Sequence, residues 1–583
     1  MINNMNTIIK KHSRLLRLMA GAVAVVFAFS SCSDDAMERL NTDSSKASSI
    51  DPNAQLTTAL LQTYGDFSLM DTYRSYISGF TQQFAGGWNV TNYAGSVHAD
   101  NDQESLAWSR YYSISIKNLV DAISKTADLP NVNAALRIQR VYLLSLLTDI
   151  YGDVPATEAG KAYTNGIANP RYDKQQDIYS FFFDELDSCE NQLGTGSDKI
   201  TGDVTSLAGN VSKWKKYANA LRMRFAMRIS DVDPEKAEQE FEKAYNSPDG
   251  YIASADDDAY VKYLNKPFTL YEGARKYDFR VNAFSEILYG QDATSPSFIC
   301  STFFNLLKDN NDPRLYRICR HYINTARSNI TPSSDGNIDV TDEVVAYLKR
   351  NNMEESPCNP GAAWYDNWVS APANSEIPTL DSLVRNNPSV GYDANNAPAR
   401  MMRPFLSIDF EQPDNPGILI TSAEVNFLLA EAKTKGWKIS GSAEDYYENG
   451  IRQSMELLNN LYLTSNKISD TEINTFIAAH HLGSNPKEDI NTQAWILHLT
   501  NPSEAWANLR RSDYPVLMDR SKLGTFDGFT YDDSNLLTPV RLQYPSLESR
   551  YNKSNYEDAI QRLGGTDNWH QRMWWDTKDG NFK

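Results

Sequence analysis

Apolar residues recur at helical spacing in successive pairs of segments, and this pattern limits the folds that the chain can adopt. Thr421 and Glu424 form a predicted capping box before one such segment, and Gly436 ends it just ahead of the next amphipathic stretch. Earlier in the chain, Trp214 lies on the apolar face of a similar helix, and Pro234 opens a shorter helix after it. Each helical hairpin has an apolar face that it cannot bury alone, so neighbouring hairpins must stack.

Three further segments have the same spacing, over residues 106–123, 134–150 and 178–193. Stacked helix pairs are typical of tetratricopeptide arrays, although this sequence contains no clean repeat of that length. We therefore predict a mainly α fold, a tetratricopeptide-like scaffold of helix pairs with long aromatic-rich loops and little β structure.

Long stretches rich in Gly, Pro, Asn, Asp and aromatic residues separate the predicted helices. They cover residues 65–101, 248–300, 325–400 and 520–583. Connections of this length in a compact protein usually carry function. Their aromatic residues are Trp88, Tyr93, Phe268, Tyr271, Trp364, Tyr365, Trp368, Trp569, Trp574 and Trp575.

Residues 1–31 have the order of a secretory signal peptide. Four basic residues come first, and the apolar run from Leu18 to Phe29 is followed by Ser30 and Ser31. Twelve apolar residues are too few to span a hydrocarbon core that is about 30 Å thick. The sequence therefore predicts an exported chain.

Cys32 stands directly after the predicted cleavage position, as in a bacterial lipobox, where the thiol is acylated and becomes the new N-terminus. Phe29 occupies a position where a lipobox more often has Leu. The following Ser33, Asp34 and Asp35 are similar to the surface-export signal of Bacteroidetes lipoproteins. The alternative, a buried structural cysteine, is disfavoured because the surrounding segment is polar.

This interpretation divides the chain into three parts. Residues 1–31 are the signal peptide, residues 32–52 are the lipidated cysteine with a polar tether, and residues 53–583 are a single helical domain. The lipid alone would hold the protein at the membrane.

Charge excludes one class of partner. Loss of residues 1–31 removes four basic residues and no acidic ones, which changes the formal net charge from -18 to -22. Such a chain lacks the basic face that nucleic acid binding requires, and electrostatic docking on anionic lipid is equally disfavoured. The remaining cysteines have no CxxC spacing, and we predict no disulfide among Cys189, Cys300, Cys319 and Cys358.

Six phrases, in this order along the chain, resemble the SusD/RagB family of outer-membrane nutrient-binding lipoproteins. Each phrase is weak alone, but six in family order after a lipobox are highly specific. They are Tyr151 to Gly160, Arg171 to Cys189, Trp214 to Ser230, Asp312 to Leu315, Ile420 to Trp437 and Glu504 to Pro515.

The resemblance implies a mostly helical fold with four tetratricopeptide-like helix pairs. It also implies a lipoprotein exposed at the surface of the outer membrane. Such a protein sits as a lid on a SusC-like TonB-dependent transporter and captures oligomeric nutrient for import.

Several residues within these phrases have a structural interpretation. We expect Trp214, Phe427 and Trp506 to pack in the core between helices. Arg510 and Arg511 end a helix, and a buried ion pair with an upstream Glu is favoured over substrate binding.

Motifs for catalysis and metal binding are absent from the sequence, which contains no HExxH, GxSxG, Walker, GxGxxG or EF-hand pattern. Adjacent His480 and His481 do not share a helix face, so we predict no metal there. The acidic run from Asp256 to Asp258 could hold calcium but is more often a solvated face. We predict no enzyme and no cofactor.

Two loop segments carry the groups that bind hydrated, neutral ligands, namely aromatic platforms beside amides and carboxylates. The first segment has Gly-rich backbone around Trp88, Asn89 and Tyr93, and its place before the first helix pair resembles that of a ligand loop in glycan-binding relatives. The second segment carries Trp364, Asp366 and Trp368. At both places the alternative is that the aromatics only pack onto the helical body.

Two classes of function stay open at this point. The first is a non-catalytic importer subunit for oligosaccharides or, as its closest variant, for oligopeptides. The second is a surface hydrolase or adhesin on the same scaffold, which would require converging carboxylates in a cleft.

Replacement of Cys32 by Ala tests the lipid anchor. Without the thiol no acyl chain can be attached, so we expect the variant to leave the membrane fraction or to stay unprocessed. Fractionation followed by immunodetection measures this. A variant that remains membrane-bound and surface-exposed would contradict the lipoprotein interpretation.

Overall fold

Helices make up most of the chain in the computed structural model, which describes residues 50–85, 90–95, 97–266, 278–289, 298–320, 405–518 and 538–577. The longer α-helices are α1 Pro52–Gly65, α2 Asn101–Arg110, α3 Lys117–Ser124, α4 Pro130–Tyr151, α5 Gln175–Gln192, α6 Val211–Arg228, α7 Pro234–Tyr245, α8 Ala283–Tyr289, α9 Ser301–Asp309, α10 Ser422–Thr434, α11 Ala443–Leu461, α12 Asp470–Ala479, α13 Pro486–Leu497, α14 Pro502–Ser512 and α15 Lys553–Arg562.

Shorter helical turns connect these elements. The α-helical ones are Phe67–Thr72, Ser78–Phe80, Ala162–Asn165, Leu315–Ile318 and Glu548–Tyr551. The 3-10 turns are Ala255–Asp257, Ile408–Glu411 and His498–Thr500, and the π-helical ones are Tyr73–Ile77, Thr91–Gly95 and Tyr111–Ile116.

The helices pack as hairpins, as the sequence predicts. Helix α4 packs on α5, α6 on α7, and α10 on α11, while α6 also contacts α10 and so joins one pair to another. Buried apolar side chains from Leu56 to Trp575 form a continuous core, in which Trp214 and Trp506 are fully buried and Phe427 is 2% exposed. The core-packing interpretation of these three residues is confirmed.

Local capping explains where the helices begin and end. The Thr421 hydroxyl accepts from the backbone N–H of Glu424, and Asp233 caps the helix that Pro234 opens. Gly152 ends α4 with φ of 90°, a conformation that glycine adopts without strain. The predicted capping box is only half made, because the Glu424 carboxylate accepts from Arg224 instead.

Two small antiparallel sheets complete the described part of the chain. The strands are β1 Phe84–Ala85, β2 Ala259–Val261, β3 Phe298–Ile299, β4 Cys319–Arg320, β5 Phe405–Leu406 and β6 Gly417–Ile420. One sheet has the order β1-β3-β5-β4, and the other pairs β2 with β6. The prediction of little β structure is confirmed.

The prediction of a long non-helical connection over 65–101 is wrong in large part. Residues 67–80 are helical, and their apolar side chains, including Tyr73, Tyr76 and Phe80, lie in the core. Gly79 makes this packing possible, because a Cβ at that position would come within 2.4 Å of the Cβ of Ala94. The π-helical turn Tyr73–Ile77 disturbs the apolar period by which a helix is recognised.

A network of buried ion pairs links α6, α10 and α14. Arg224 binds the Glu424 carboxylate through two nitrogens, at 2.6 and 2.7 Å, and Arg228 binds Glu504 at 2.6 Å. Arg511 binds both oxygens of Glu431 at 2.7 Å. Burial alone would raise the pKa of the Glu431 carboxyl, but Arg511, with nearby lysines, lowers it to about 2.

The expected ion pair at the end of α14 is therefore confirmed for Arg511. Arg510 behaves differently, because its guanidinium lies 3.7 Å from the Trp506 ring centre and donates to the carbonyls of Val540 and Asp149. Burial lowers the pKa of Arg510 to about 9.

None of the helices in the described ranges has both the length and the hydropathy of a membrane span. Cys189, Cys300 and Cys319 are buried, and Cys358 lies outside the described residues.

Replacement of Arg511 by Met should destabilise the protein at pH 7 by about 3 to 5 kcal/mol, because the Glu431 carboxylate is left buried and unpaired. The stability that the depressed pKa of Glu431 supplies is present above about pH 4.5 and is lost as the pH falls towards 2. The difference between wild type and variant should therefore narrow at pH 3. Urea unfolding at both pH values measures it.

The double variant Glu431→Leu/Arg511→Met is the matched control. It removes both charges, so it should recover most of the stability that the single variant loses. Equal losses in the single and double variants would show that the pair has no role beyond packing.

Candidate functional site

The four-stranded sheet bounds the chain segments on which most of the predicted ligand residues lie. Ala85 pairs with Phe298, Phe298 with Phe405, and Phe405 with Arg320, so these four residues form one row across the sheet. Adjacent strands are about 4.8 Å apart, which places the two ends of the row roughly 14 Å from each other.

The row has a simple relation to the loop segments. Residue 85 precedes 86–89, residue 298 follows 290–297, and residues 320 and 405 bound 321–404. Because all these pairs are antiparallel, the chain leaves Ala85 and enters Phe298 on one side of the row, whereas it leaves Arg320 and enters Phe405 on the opposite side. Sequence reasoning missed this arrangement, since strands of two residues leave no periodic signal.

A buried turn at Gln82 precedes strand β1. Gln82 is a non-glycine residue with φ of 54° and an almost fully buried side chain. Its amide nitrogen donates to the carbonyl oxygen of Met518 at 2.8 Å, while its amide oxygen accepts from the Met518 N–H at 3.0 Å. The Thr302 hydroxyl donates to the same amide oxygen.

The neighbours of Gln82 attach the turn to α13. The Gln83 side chain donates to the Trp495 carbonyl at 2.7 Å, and the Trp495 indole donates to the Thr81 carbonyl at 3.1 Å. The Cys300 N–H donates to the Gln83 carbonyl at 2.9 Å. These hydrogen bonds therefore attach the residues before β1 to α13 and to Cys300, which follows β3 directly.

Tyr93 is the one predicted ligand residue that the described residues include. It lies in the Thr91–Gly95 turn and is half-buried, with its ring centre 5.4 Å from that of Tyr76 and 6.1 Å from that of His98. Burial raises the pKa of Tyr93, and the carboxylates of Asp100 and Asp71 add to the effect. One part of its ring surface is thus used for packing.

The other sequence-predicted site residues lie outside the described residues. They are Trp88, Asn89, Trp364, Asp366 and Trp368, together with the predicted lipidation residue Cys32. The row of strand residues described above bounds the chain segments that contain the first five of these residues.

The ring of Tyr76, which supports Tyr93, rests on the C-terminal part of the chain. Trp569 makes an edge-to-face contact with Tyr76 at 5.6 Å, and its indole donates to the buried Glu104 carboxylate at 3.0 Å. The Gln543 N–H donates to the same Glu104 oxygen at 2.7 Å. Burial raises the pKa of Glu104 to about 7, although both hydrogen bonds act in the opposite direction.

Trp569 and Trp575, which the sequence places in a long loop stretch, are packing residues in the structure. Trp569 is 4% exposed, and Trp575 is fully buried with its indole donating to Asp149 at 3.0 Å. Residues 538–577 therefore pack onto the helical body, and we assign no ligand contact to these two side chains.

The acidic run and the histidine pair, the two candidate cation sites of the sequence, make ordinary contacts with neighbouring residues. Asp257 binds Lys216 at 2.8 Å, and the Asp258 carboxylate accepts from the Ser422 N–H at the start of α10. The ring of His480 stacks on Phe476. The acidic run thus caps a helix and is not the solvated face favoured by its sequence.

His481 lies near two carboxylates of α11. Within the described ranges, Glu444, Glu448 and His481 place three potential ligand atoms within 4.8 Å of one another. All three are partly or fully exposed, and His481 is 2.9 Å from Glu444. Exposed acidic groups of this kind are common without an ion, and we assign no metal to them.

Comparison with protein families gives two matches. The family described as "Starch-binding associating with outer membrane" matches residues 44–357, and the family described as "Susd and RagB outer membrane lipoprotein" matches residues 389–576. No curated protein matches the sequence significantly.

Solved structures share the fold over most of their length. A SusD-like protein of Bacteroidetes AC2a is 41% identical with a TM-score of 0.77, and a chitin-binding protein is 31% identical with a TM-score of 0.70; each match covers 91% of this chain and 100% of the other. A SusD homologue of Bacteroides uniformis is 22% identical, with a TM-score of 0.65 and the same coverage of both chains.

Replacement of Glu104 by Gln should change how stability depends on pH. With a folded pKa of about 7 and an unfolded value near 4.5, the wild type loses stability as the pH rises through this window. The amide carries no charge, so the variant should lack this loss and become the more stable protein at pH 8. Thermal unfolding at pH 5 and pH 8 measures it, and parallel profiles would contradict the prediction.

Proposed function

Because this chain belongs to the SusD/RagB-type family of outer-membrane lipoproteins, we propose that it binds an oligosaccharide at the cell surface without cleaving it and delivers it to a SusC-like TonB-dependent transporter. The ligand site is formed by the loop segments that the four-stranded sheet bounds. The principal ligand residues are Trp88 and Tyr93, with Asn89, Trp364, Asp366 and Trp368 beside them.

The observation that carries this proposal is the match to the family, together with a chitin-binding relative that is 31% identical over 91% of this chain. Trp88 is three residues beyond Ala85, a reach of about 10 Å in extended chain. The segment with Trp364 and Trp368 starts and ends on two adjacent strands of the same sheet. Aromatic platforms beside amides and carboxylates suit a sugar ligand.

The choice of oligosaccharide over oligopeptide has two supports. The residues singled out by the sequence are mainly aromatic, which suits stacking on sugar rings. A relative that is 31% identical is described as a chitin-binding protein. An oligomer of N-acetylglucosamine is therefore the first ligand to test, with a starch fragment and a peptide as competing candidates.

The non-catalytic part of the proposal rests on the carboxylates that the structure describes. Three buried carboxylates make structural contacts, since Glu424 and Glu431 bind arginines and Asp149 accepts from Tyr179. A hydrolase would need a pair of carboxylates facing a cleft. This favours a binding protein over the surface hydrolase on the same scaffold.

Replacement of Trp88 by Ala should weaken oligosaccharide binding about tenfold, because one stacking platform contributes roughly 1 kcal/mol or somewhat more. Calorimetric titration with chitohexaose and maltohexaose measures the affinity. Thermal stability should change little, since Trp88 lies in a Gly-rich loop segment. Unchanged affinity would move the site elsewhere, and release of shorter sugars by the wild type would overturn the non-catalytic proposal.

Trp214→Ala is the matched control for this experiment. Trp214 is fully buried, and its indole donates to Asp203 at 2.9 Å. Its loss should cost about 3 to 5 kcal/mol of stability and leave the affinity of the folded fraction intact. Binding of a charged peptide in place of either sugar would favour the oligopeptide importer.

The transporter partnership predicts a permanent complex. A lid on a barrel needs a large contact area, above about 2,000 Å² as in obligate assemblies. Gentle detergent extraction should therefore recover the protein together with a TonB-dependent barrel, as mass spectrometry of the purified complex would show. Recovery of a free monomer, under conditions that preserve other such pairs, would contradict the partnership.

A further inference from the structure

The tripeptide Asn-Gly-Ile occurs twice in the sequence, at residues 165–167 and at residues 449–451. An asparagine before a glycine is the arrangement that deamidates most readily, because no side chain on the glycine hinders its backbone nitrogen from approaching the amide carbon. The reaction needs water and no enzyme. Since the two copies have the same local sequence, a difference in their reactivity can come only from the structure around them or from the residue that precedes each.

The first copy lies at an exposed turn. Asn165 ends the single helical turn Ala162–Asn165, in which no residue is buried. Gly166 follows with φ of 72°, and a Cβ at that position would meet no atom within 4 Å. The Gly166 N–H donates to the Ala162 carbonyl at 3.0 Å, at the end of the turn. A helix of one turn is marginal and opens readily at its end, which frees this nitrogen.

The amide of Asn165 is also prepared for attack. The Thr164 hydroxyl donates to the Asn165 Oδ1 atom at 2.7 Å. This hydrogen bond draws electron density from the amide carbonyl and stabilises negative charge on its oxygen, so the Cγ atom becomes a better target for a nucleophile. The turn therefore supplies an accessible nitrogen and a polarised amide at adjacent residues.

The second copy lies inside helix α11, Ala443–Leu461. The backbone nitrogen of Gly450 belongs to the hydrogen-bond ladder of this helix. Gly450 is buried, and a Cβ at that position would come within 2.5 Å of the Phe427 ring, so the helix is packed closely on α10 here. The Asn449 side chain is exposed, so solvent reaches its amide, but the helical backbone keeps the nitrogen away from it.

We propose that Asn165 is a site of spontaneous deamidation in the folded protein and that Asn449 is protected by its helix. The Gly166 nitrogen gives its proton to solvent base and attacks the Asn165 Cγ atom. The new N–Cγ bond forms, the Cγ–Nδ2 bond breaks, and ammonia leaves with a proton from solvent. Water then opens the cyclic imide at one of its two carbonyls, which gives aspartate or isoaspartate. No group is oxidised or reduced, and each product adds one negative charge.

The surroundings of the turn allow this change without loss of the fold. The chain is attached again directly after the turn, since the Asn169 side chain donates to the Tyr551 carbonyl and the Asn552 side chain donates to the Pro170 carbonyl. The altered residues lie before these contacts and make no contribution to the core. We therefore expect the deamidated protein to melt at the same temperature as the unmodified one.

Peptide mapping by mass spectrometry, after incubation of the full mature chain at pH 8, measures both sites in one sample. In the folded protein Asn165 should react at least about tenfold faster than Asn449, because reaction at Asn449 first requires helix α11 to open. The chain unfolded in urea is the matched control, and there both copies should react at similar rates. Gly166→Ala should slow reaction at Asn165 about tenfold, because the added Cβ hinders the attacking nitrogen.

Reaction at Asn165 in the folded chain, with Asn449 reacting only in urea, supports the proposal. Two results would overturn it. One is equal reaction of both copies in the folded chain, which would show that α11 gives no protection. The other is a folded chain in which Asn165 stays intact while both copies react in urea, which would show that the turn holds the nitrogen away from the amide.

Discussion

The buried pairing of arginines with carboxylates is the constraint on which the helical body depends. Arg224 and Arg228 are one turn apart on α6 and bind carboxylates of α10 and α14 respectively, across 200 and 276 positions of sequence. Arg511 of α14 then binds Glu431 of α10, which closes a triangle of three helices. A buried charge without a partner is very unfavourable, so a shift of any of these helices by one turn would be strongly disfavoured. The network thereby fixes the register of helices that the apolar faces alone would leave free to slide.

Helix pairing could be predicted from the sequence because each helix carries its own evidence. The period of apolar residues, the caps at Thr421 and Ser442 and the stop at Gly152 are local signals, and all three lie at helix boundaries of the structure. The dependence on local signals also explains why the helix around Tyr73 was not predicted. This helix is interrupted by a π turn, which disturbs the period by which a helix is recognised.

The partners within the network and the sheet could not be predicted from one sequence. Glu424 occupies the position of a capping-box residue, and only the location of Arg224 in space shows that its carboxylate is used elsewhere. The four-stranded sheet consists of two-residue strands drawn from places as far apart as Phe84 and Phe405. The aromatic composition of the loops predicts ligand contact, but the attachment of these loops to one small sheet depends on long-range strand pairing.

The buried ion pairs also limit how the helical body can change by substitution. Loss of one partner leaves the other charge buried without a counter-ion, so Arg224, Arg228 and Arg511 can be replaced only together with their carboxylates. The four-stranded sheet differs in this respect, because main-chain pairing joins its strands and does not depend on the identity of the side chains. The turn before β1 combines both kinds of contact, since the Gln82 side chain binds the backbone of Met518. A substitution at Gln82 therefore removes a long-range contact that main chain elsewhere in the sheet supplies.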